Sequence, residues 1–245
     1  MSHSESKIAR KPRSVPIVAL DVGDARSAIA LAERLPDADF VKVGLQLFGA
    51  EGPSVVRELR QMGRRVFLDL KLHDIPNTVA GAVESAAELD VQLLTLHASG
   101  GTAMLAAARA AAGAQGEGGP ELFAVTVLTS LSPGELGEAW GREKLEVSVE
   151  AARLARLAAD AHMDGVVTSV HEVDAIRAVT EGALKVLTPG IRLAGTAVGD
   201  QARVATPARA AELAVEYIVL GRTVTAAPDP AAAFERVLRE MEGSR

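Results

Sequence analysis

Short apolar runs that alternate with polar residues recur along the chain, and longer Ala-rich stretches with apolar residues three and four apart separate them. The alternating runs predict strands over 15–22, 40–44, 65–71, 93–98, 122–130, 165–169, 184–191 and 217–223. The stretches between them predict helices near 26–35, 52–62, 78–89, 101–112, 147–162, 170–179 and 207–215, and a last helix over about 230–241. Strand and helix in eightfold alternation, with a spacing of about thirty residues, imply parallel pairing through helical crossovers. A (β/α)8 TIM barrel of α/β class, a single domain over 15–245, is the simplest closure. An open doubly wound sheet is the alternative, but no Gly-rich dinucleotide fingerprint follows the first strand. Residues 1–14 are polar, carry Lys7, Arg10, Lys11 and Arg13, and read as a flexible tail rather than a signal peptide. Residues 113–120 are Gly-rich and read as a surface turn before the fifth strand, not as a domain boundary.

The most informative run is Phe67-Leu68-Asp69-Leu70-Lys71-Leu72-His73-Asp74-Ile75-Pro76-Asn77-Thr78. Alternation carries Asp69 and Lys71 to one face of a strand, with Leu68 and Leu70 on the other, and Asp74 follows the strand end. The first strand ends in Ala19-Leu20-Asp21 and the second reads Val41-Lys42-Val43-Gly44. By the same alternation Asp21, Lys42, Asp69 and Lys71 face the barrel mouth, the face on which such barrels carry their chemistry. Each lysine gains carboxylate neighbours that favour its charged form. A single charged pair would read as a structural ion pair that holds the mouth together. Four charges on consecutive strand ends point to function.

Composition narrows the chemistry. The chain has 245 residues and a formal net charge of -6, so no general nucleic-acid footprint is expected. It has no Cys, which excludes disulfides, thiolate zinc sites and Cys nucleophiles and fits a reducing cytoplasm. No apolar run is long enough to span a bilayer. An anionic small substrate remains open where basic residues converge locally.

Such a convergence is expected at the other end of the chain. The seventh strand runs into Thr188-Pro189-Gly190-Ile191-Arg192, a loop over 193–201 follows with Gly195 and Gly199, and the eighth strand ends in Gly221-Arg222-Thr223. Phosphate sites in these barrels use the loops after strands seven and eight. Glycine lets backbone N–H groups approach an anion and arginine offers a planar fork of donors, so Arg192 and Arg222, with Gly221, are the candidate phosphate grip. Thr129 and Ser130 end the fifth strand and either bond a ligand or cap the next turn. His97 reads as a structural histidine at the end of strand four, and His73 as a base or ligand candidate at an odd offset from Asp69 and Lys71. No metal site is expected from ligand spacing, although Asp69 with Asp74 offers a possible Mg²⁺ pair.

Together these motifs resemble the bacterial orotidine 5'-phosphate decarboxylase family, over nearly the whole chain from about Pro16. The string Asp-x-Lys-x-x-Asp-Ile-Pro-Asn-Thr, Val125 through Ser130, Gly199-Asp200-Gln201 and Gly221-Arg222 carry the resemblance. It implies a carboxy-lyase that converts orotidine 5'-phosphate (OMP) to UMP and CO2, the final step of pyrimidine biosynthesis, in the cytoplasm and without a cofactor. It implies Lys71 as proton donor, Asp69 against the substrate carboxylate, and Lys42 and Asp21 at the ribose. Ser130 and Thr129 would lie at the pyrimidine, Gln201 between phosphate and base, and Arg222, Gly221 and Arg192 at the phosphate. Asp74 and Thr78 would reach the neighbouring subunit's site in a homodimer. The loop over 193–201 reads as a lid. Two other functions share features of the pattern: a Mg²⁺-dependent sugar-phosphate decarboxylase or aldolase with the same Asp-x-Lys-x-x-Asp motif, and a silent barrel that only binds a nucleotide.

Overall fold

The computed structural model describes residues 14–193 and 204–243. Among them, eight strands close into a barrel in sequence order, every neighbouring pair parallel: β1 (Val15–Ala19), β2 (Phe40–Gly44), β3 (Arg65–Leu72), β4 (Leu93–His97), β5 (Glu121–Val125), β6 (Gly165–Val167), β7 (Lys185–Thr188) and β8 (Tyr217–Leu220). The return pairing of β8 on β1, with Val15 opposite Tyr217, closes the sheet and rules out the open doubly wound alternative. The fold is the single-domain (β/α)8 barrel that the alternation predicts. The expected flexible tail falls on residues 1–13, outside the described residues, apart from buried Ser14.

Parity along the strands sorts the apolar side chains into two layers. Ile17, Ala19, Phe40, Phe67, Leu93, Phe123, Val125, Val167, Leu187 and Val219 point inward and fill the barrel. Their alternate neighbours Val18, Val41, Leu68, Leu94, Leu122, Val166, Val186 and Ile218 pack outward beneath the helices. Tyr217 meets Phe40 and Phe123 edge-on, with ring centroids 6.1 and 5.7 Å away, and fills the N-terminal end of the interior. The barrel is therefore a packed core beneath a working face, not a pore.

The helices start where local chemistry allows. Asp24 accepts the Ser27 N–H at 2.8 Å and opens α1 (Ala25–Glu33), which buries Ala28, Leu31 and Ala32. Two helices arise where no element was expected: α2 (Leu45–Glu51), which leaves directly from the end of β2 and is followed by α3 (Pro53–Gln61), and α6 (Pro133–Trp140), which follows α4 (Pro76–Ala87) and α5 (Gly101–Gly113). The remaining long crossovers are α7 (Val147–Asp160) and α8 (Val173–Thr180), then α9 (Pro207–Glu212). Residues Arg222–Thr225 form a short helix, α10, instead of prolonging β8, and α11 (Pro230–Glu242) ends the fold.

Several strands stop earlier than alternation suggests. β1 ends at Ala19 rather than residue 22, β5 at Val125 rather than 130, and β7 at Thr188 rather than 191. Single bonds such as Leu20 N–H to the Lys42 carbonyl at 3.0 Å continue beyond the ladder, but regular pairing has ended. The polar residues that follow are thereby carried on loops at the C-terminal face.

Candidate active site

The inward row of each early strand ends in a charge. Asp21 follows Ile17 and Ala19, Lys42 follows Phe40, and Asp69 follows Phe67. The register sets Ala19 beside Lys42, Lys42 beside Phe67 and Gly44 beside Asp69. Lys42 Nζ donates to Asp21 Oδ1 at 2.8 Å and lies 3.6 Å from Asp69 Oδ2. Lys71 Nζ donates to both oxygens of Asp69 at 2.8 Å each. The order in space is acid, base, acid, base. Lys42 and Asp69 are almost fully buried, whereas Asp21 is exposed. Removing one partner of a buried pair is costly because it strands the other charge; the exposed Asp21 contact contributes little. Burial by itself would raise the Asp69 pKa, but Lys42 and Lys71, with hydrogen bonds from Lys71 and Thr95, outweigh it and hold the carboxyl below its usual range.

Lys71 reaches this position by a different route from simple alternation. Pairing of β3 with β4 advances four residues on β3, from Leu68 to Leu72, against two on β4, from Leu94 to Leu96. Asp69, Leu70 and Lys71 thus lie opposite Thr95 alone, a bulge in the ladder. Lys71 has φ +50°, the left-handed region that costs an L-residue about 1–2 kcal/mol. Its N–H donates to Thr95 Oγ1 at 3.0 Å. The expectation that Asp69 and Lys71 share a face by uninterrupted alternation is corrected accordingly: their side chains meet through an irregular backbone.

On the far side, β7 lies across the eight-stranded barrel from β3. After β7, Gly190 has φ +77° and Ile191 forms a bridge to Ala205. Thr223 Oγ1 donates to the Ile191 carbonyl at 3.3 Å. These contacts tie Ile191, the residue before Arg192, to Ala205 and to α10. Burial lowers the Arg192 pKa, and the nearby Arg222 guanidinium lowers it further. Two like charges held within each other's field form a ready counter-charge for an anion.

A cavity of about 560 Å³ joins the two ends. Asp21, Lys42, Asp69 and Lys71 line one side, Thr129 and Ser130 another, and Arg192, Gly221 and Arg222 a third. Its floor is the top of the barrel core, with Ala19, Phe67, Val125, Val167, Leu187 and Val219. Size, apolar floor and sparse polar groups suit a small anionic ligand. A Cβ on Gly221 would meet nothing within 4 Å, so the glycine leaves its backbone open to that space.

Not every expected residue joins this cavity. Asp74 and Thr78 are exposed at the entry to α4 and do not line it. Asp74 Oδ1 accepts the Ile75 N–H at 2.7 Å. An Asp69–Asp74 magnesium pair is disfavoured, because both Asp69 oxygens already face ammonium groups that would repel a dication. Gln201 and most of the expected lid fall on 194–203, outside the described residues. The His73 and His97 rings pack at a tilt of 38° with centroids 5.3 Å apart, and neither lines the cavity. Burial, then the fields of His73 and Lys71, lower the His97 pKa against Asp69. Thr95 was missed by the sequence reading. Its signal is a lone hydroxyl at the inward parity of the strand, two residues after Leu93 and between Leu94 and Leu96.

Fold and site together define a class: (β/α)8 barrel enzymes with a cavity at the C-terminal ends of the strands that is lined by acids and lysines on one side and arginines on another. A family model described as "Orotidine 5'-phosphate decarboxylase / HUMPS family" matches residues 14–237. Proteins named orotidine 5'-phosphate decarboxylase are similar throughout: one from Sodalis glossinidius is 46% identical over 99% of this chain and 96% of its own length. Another, from Moorella thermoacetica, is 49% identical over 92% of this chain and 91% of its own. The crystal structure of orotidine 5'-phosphate decarboxylase from Lactobacillus acidophilus superposes with a TM-score of 0.82 at 37% identity, covering 94% of this chain and 99% of that one. The chain belongs to the orotidine 5'-phosphate decarboxylase / HUMPS family.

Proposed function

We propose that this protein is a carboxy-lyase that converts OMP to UMP and CO2 in pyrimidine biosynthesis, in the cytoplasm, with Lys71 as the proton donor and no cofactor. The observation that carries this reading is the alternating Asp21–Lys42–Asp69–Lys71 array facing the Arg192–Arg222 pair across one cavity. The names of the similar proteins supply the substrate. In the reaction the C6–carboxylate bond breaks, CO2 departs and the electron pair stays on C6. That pair lies in the ring plane, out of conjugation with the ring carbonyls, so a delocalising cofactor is of little help. A fixed ammonium beside C6 stabilises the developing carbanion more than the ground state. The Lys71 ammonium then gives its proton to C6 and regains one from solvent. Asp69 next to the substrate carboxylate disfavours the bound ground state and holds the Lys71 ammonium by two hydrogen bonds before transfer. Arg222, the Gly221 backbone and Arg192 hold the phosphate, whose binding energy is available at the distant reacting carbon. Ser130 and Thr129 contact the pyrimidine, Gln201 bridges phosphate and base, and Lys42 and Asp21 bind the ribose.

The same reading makes the protein a homodimer in which Asp74 and Thr78 of each chain complete the other's cavity. Their exposure at the mouth, beside an Ile75 that is 67% exposed, supports it.

The test is loss of pyrimidine absorbance when OMP is added to metal-free protein. Turnover that survives EDTA is expected, and Lys71→Ala should lower kcat by roughly 10²- to 10⁴-fold or more while UMP still binds. Near-normal turnover by Lys71→Ala rejects the proton-donor role. EDTA-sensitive activity on a sugar phosphate, without OMP turnover, would favour the magnesium enzyme.

A further inference from the structure

We infer that Thr95 is a positioning residue that couples the irregular backbone of Lys71 to the orientation of the Asp69 carboxylate, so that the proton donor and its acidic neighbour move as one unit. This rests on the reading of the cavity as the decarboxylation site. Thr95 is fully buried on β4, between Leu94 and Leu96. A buried hydroxyl is unfavourable unless it is bonded, and here it is bonded twice. Its oxygen accepts the Lys71 N–H at 3.0 Å, and its own proton goes to Asp69 Oδ1 at 2.9 Å. The directions are set: an N–H can only donate, an ionised carboxylate can only accept, and the single hydroxyl proton is therefore committed to Asp69.

The bulge explains why a hydroxyl stands here. Three residues of β3 lie opposite Thr95, so the regular ladder cannot supply Lys71 N–H with a β4 carbonyl. The Thr95 side chain takes the carbonyl's place and holds the left-handed Lys71 backbone to β4. At the same time it fixes Oδ1, which leaves Oδ2 toward Lys42 at 3.6 Å. During proton transfer Lys71 loses its charge, and its hold on Asp69 weakens. Thr95 is the donor that does not react, and it keeps the carboxylate anionic and in place through that step.

Thr95→Val removes the hydroxyl at nearly constant shape, and Thr95→Ser keeps it. In Thr95→Val, kcat should fall roughly tenfold to a hundredfold, with a smaller change in KM. The acid limb of kcat/KM should move to higher pH, because a carboxylate that loses a donor is easier to protonate. The Asp69 carboxyl carbon, followed by NMR, should titrate higher in Thr95→Val than in wild type. Thr95→Ser should recover most of the loss in every readout. The inference is overturned by a Thr95→Val enzyme with unchanged kcat, by an unmoved Asp69 titration, or by a Thr95→Ser enzyme as impaired as Thr95→Val. If Thr95→Val does not fold, Thr95→Ala is measured against the same criteria. If wild-type protein does not turn over OMP, the proposed function fails, and the Asp69 titration alone decides the role of Thr95.

Discussion

At Gly44 a single hydrogen atom decides whether the charge array can form. A Cβ built there would lie 2.8 Å from Lys42 Nζ and 3.2 Å from Asp21 Oδ1. Gly44 has an extended backbone, φ -91° and ψ 175°, which alanine adopts without strain. The conflict is therefore with the flexible end of Lys42 and not with the fold. Gly44→Ala should leave the melting temperature within a few degrees of wild type while displacing the Lys42 ammonium from Asp21. A displacement of about 1 Å at such a site can cost up to roughly 10²-fold in rate, so kcat/KM for OMP should drop by about tenfold or more. Steady-state kinetics beside a thermal melt checks this; an unaltered kcat/KM in a stable variant would show that the Lys42–Asp21 contact does not matter. Lys42 itself was legible from alternation in the sequence. The need for a glycine two residues later was not, because it arises from the path of a side chain across two strands.

At the scale of elements, periodicity located all eight strands because each has one parity for the barrel interior and the other for the helical layer. It over-extended β1, β5, β6, β7 and β8, because the residues that follow each strand carry no stop signal of their own and the end of regular pairing is set by the neighbouring strand. It also missed α6, whose start does carry a local signal: Ser132 and Glu135 form a reciprocal capping box with Pro133 in the first turn. The bulge in β3 has no such signal, because Leu-Asp-Leu-Lys reads as regular alternation and the extra residues become visible only against β4. The interior of the barrel shows the same dependence on partners. Gly165 opens β6 at an inward position, where an added Cβ would lie 2.4 Å from a Phe123 ring carbon and 2.6 Å from the Lys185 carbonyl oxygen. Phenylalanine on one strand requires glycine on the next, the large-and-small complementarity of a filled barrel layer. Gly165→Ala should destabilise the protein by about 1–3 kcal/mol, read from chemical denaturation, because backbone and ring must both move. Phe123→Leu on that background should recover part of the loss; failure to recover would locate the conflict at the Lys185 backbone alone.

For the molecule as a whole, the proposed homodimer asks more of the site than the cavity of one chain gathers. The cavity gathers Asp21, Lys42, Asp69 and Lys71 with Arg192, Gly221 and Arg222, while Asp74 and Thr78 remain exposed outside it. Leu45 and Ile75, exposed at 66% and 67%, flank the same mouth after β2 and β3. Apolar side chains beside an open catalytic cavity are what a second copy would cover, and a twofold axis there would carry each Asp74 toward the other chain's site. This arrangement makes a quantitative prediction. Lys71→Ala and Asp74→Ala homodimers are each impaired at both sites. In a hybrid of the two, one site contains both changes and the other contains neither. Random exchange in an equal mixture makes half of the dimers hybrid, so activity should recover to about a quarter of wild type per site. Mixing the variants under conditions that allow subunit exchange, then assaying OMP turnover, measures the recovery. If Asp74 acts only within its own chain, every site in the mixture carries one defect and no activity returns. Recovery near the expected value, with Thr78→Ala behaving like Asp74→Ala, would make the dimer the smallest complete catalyst.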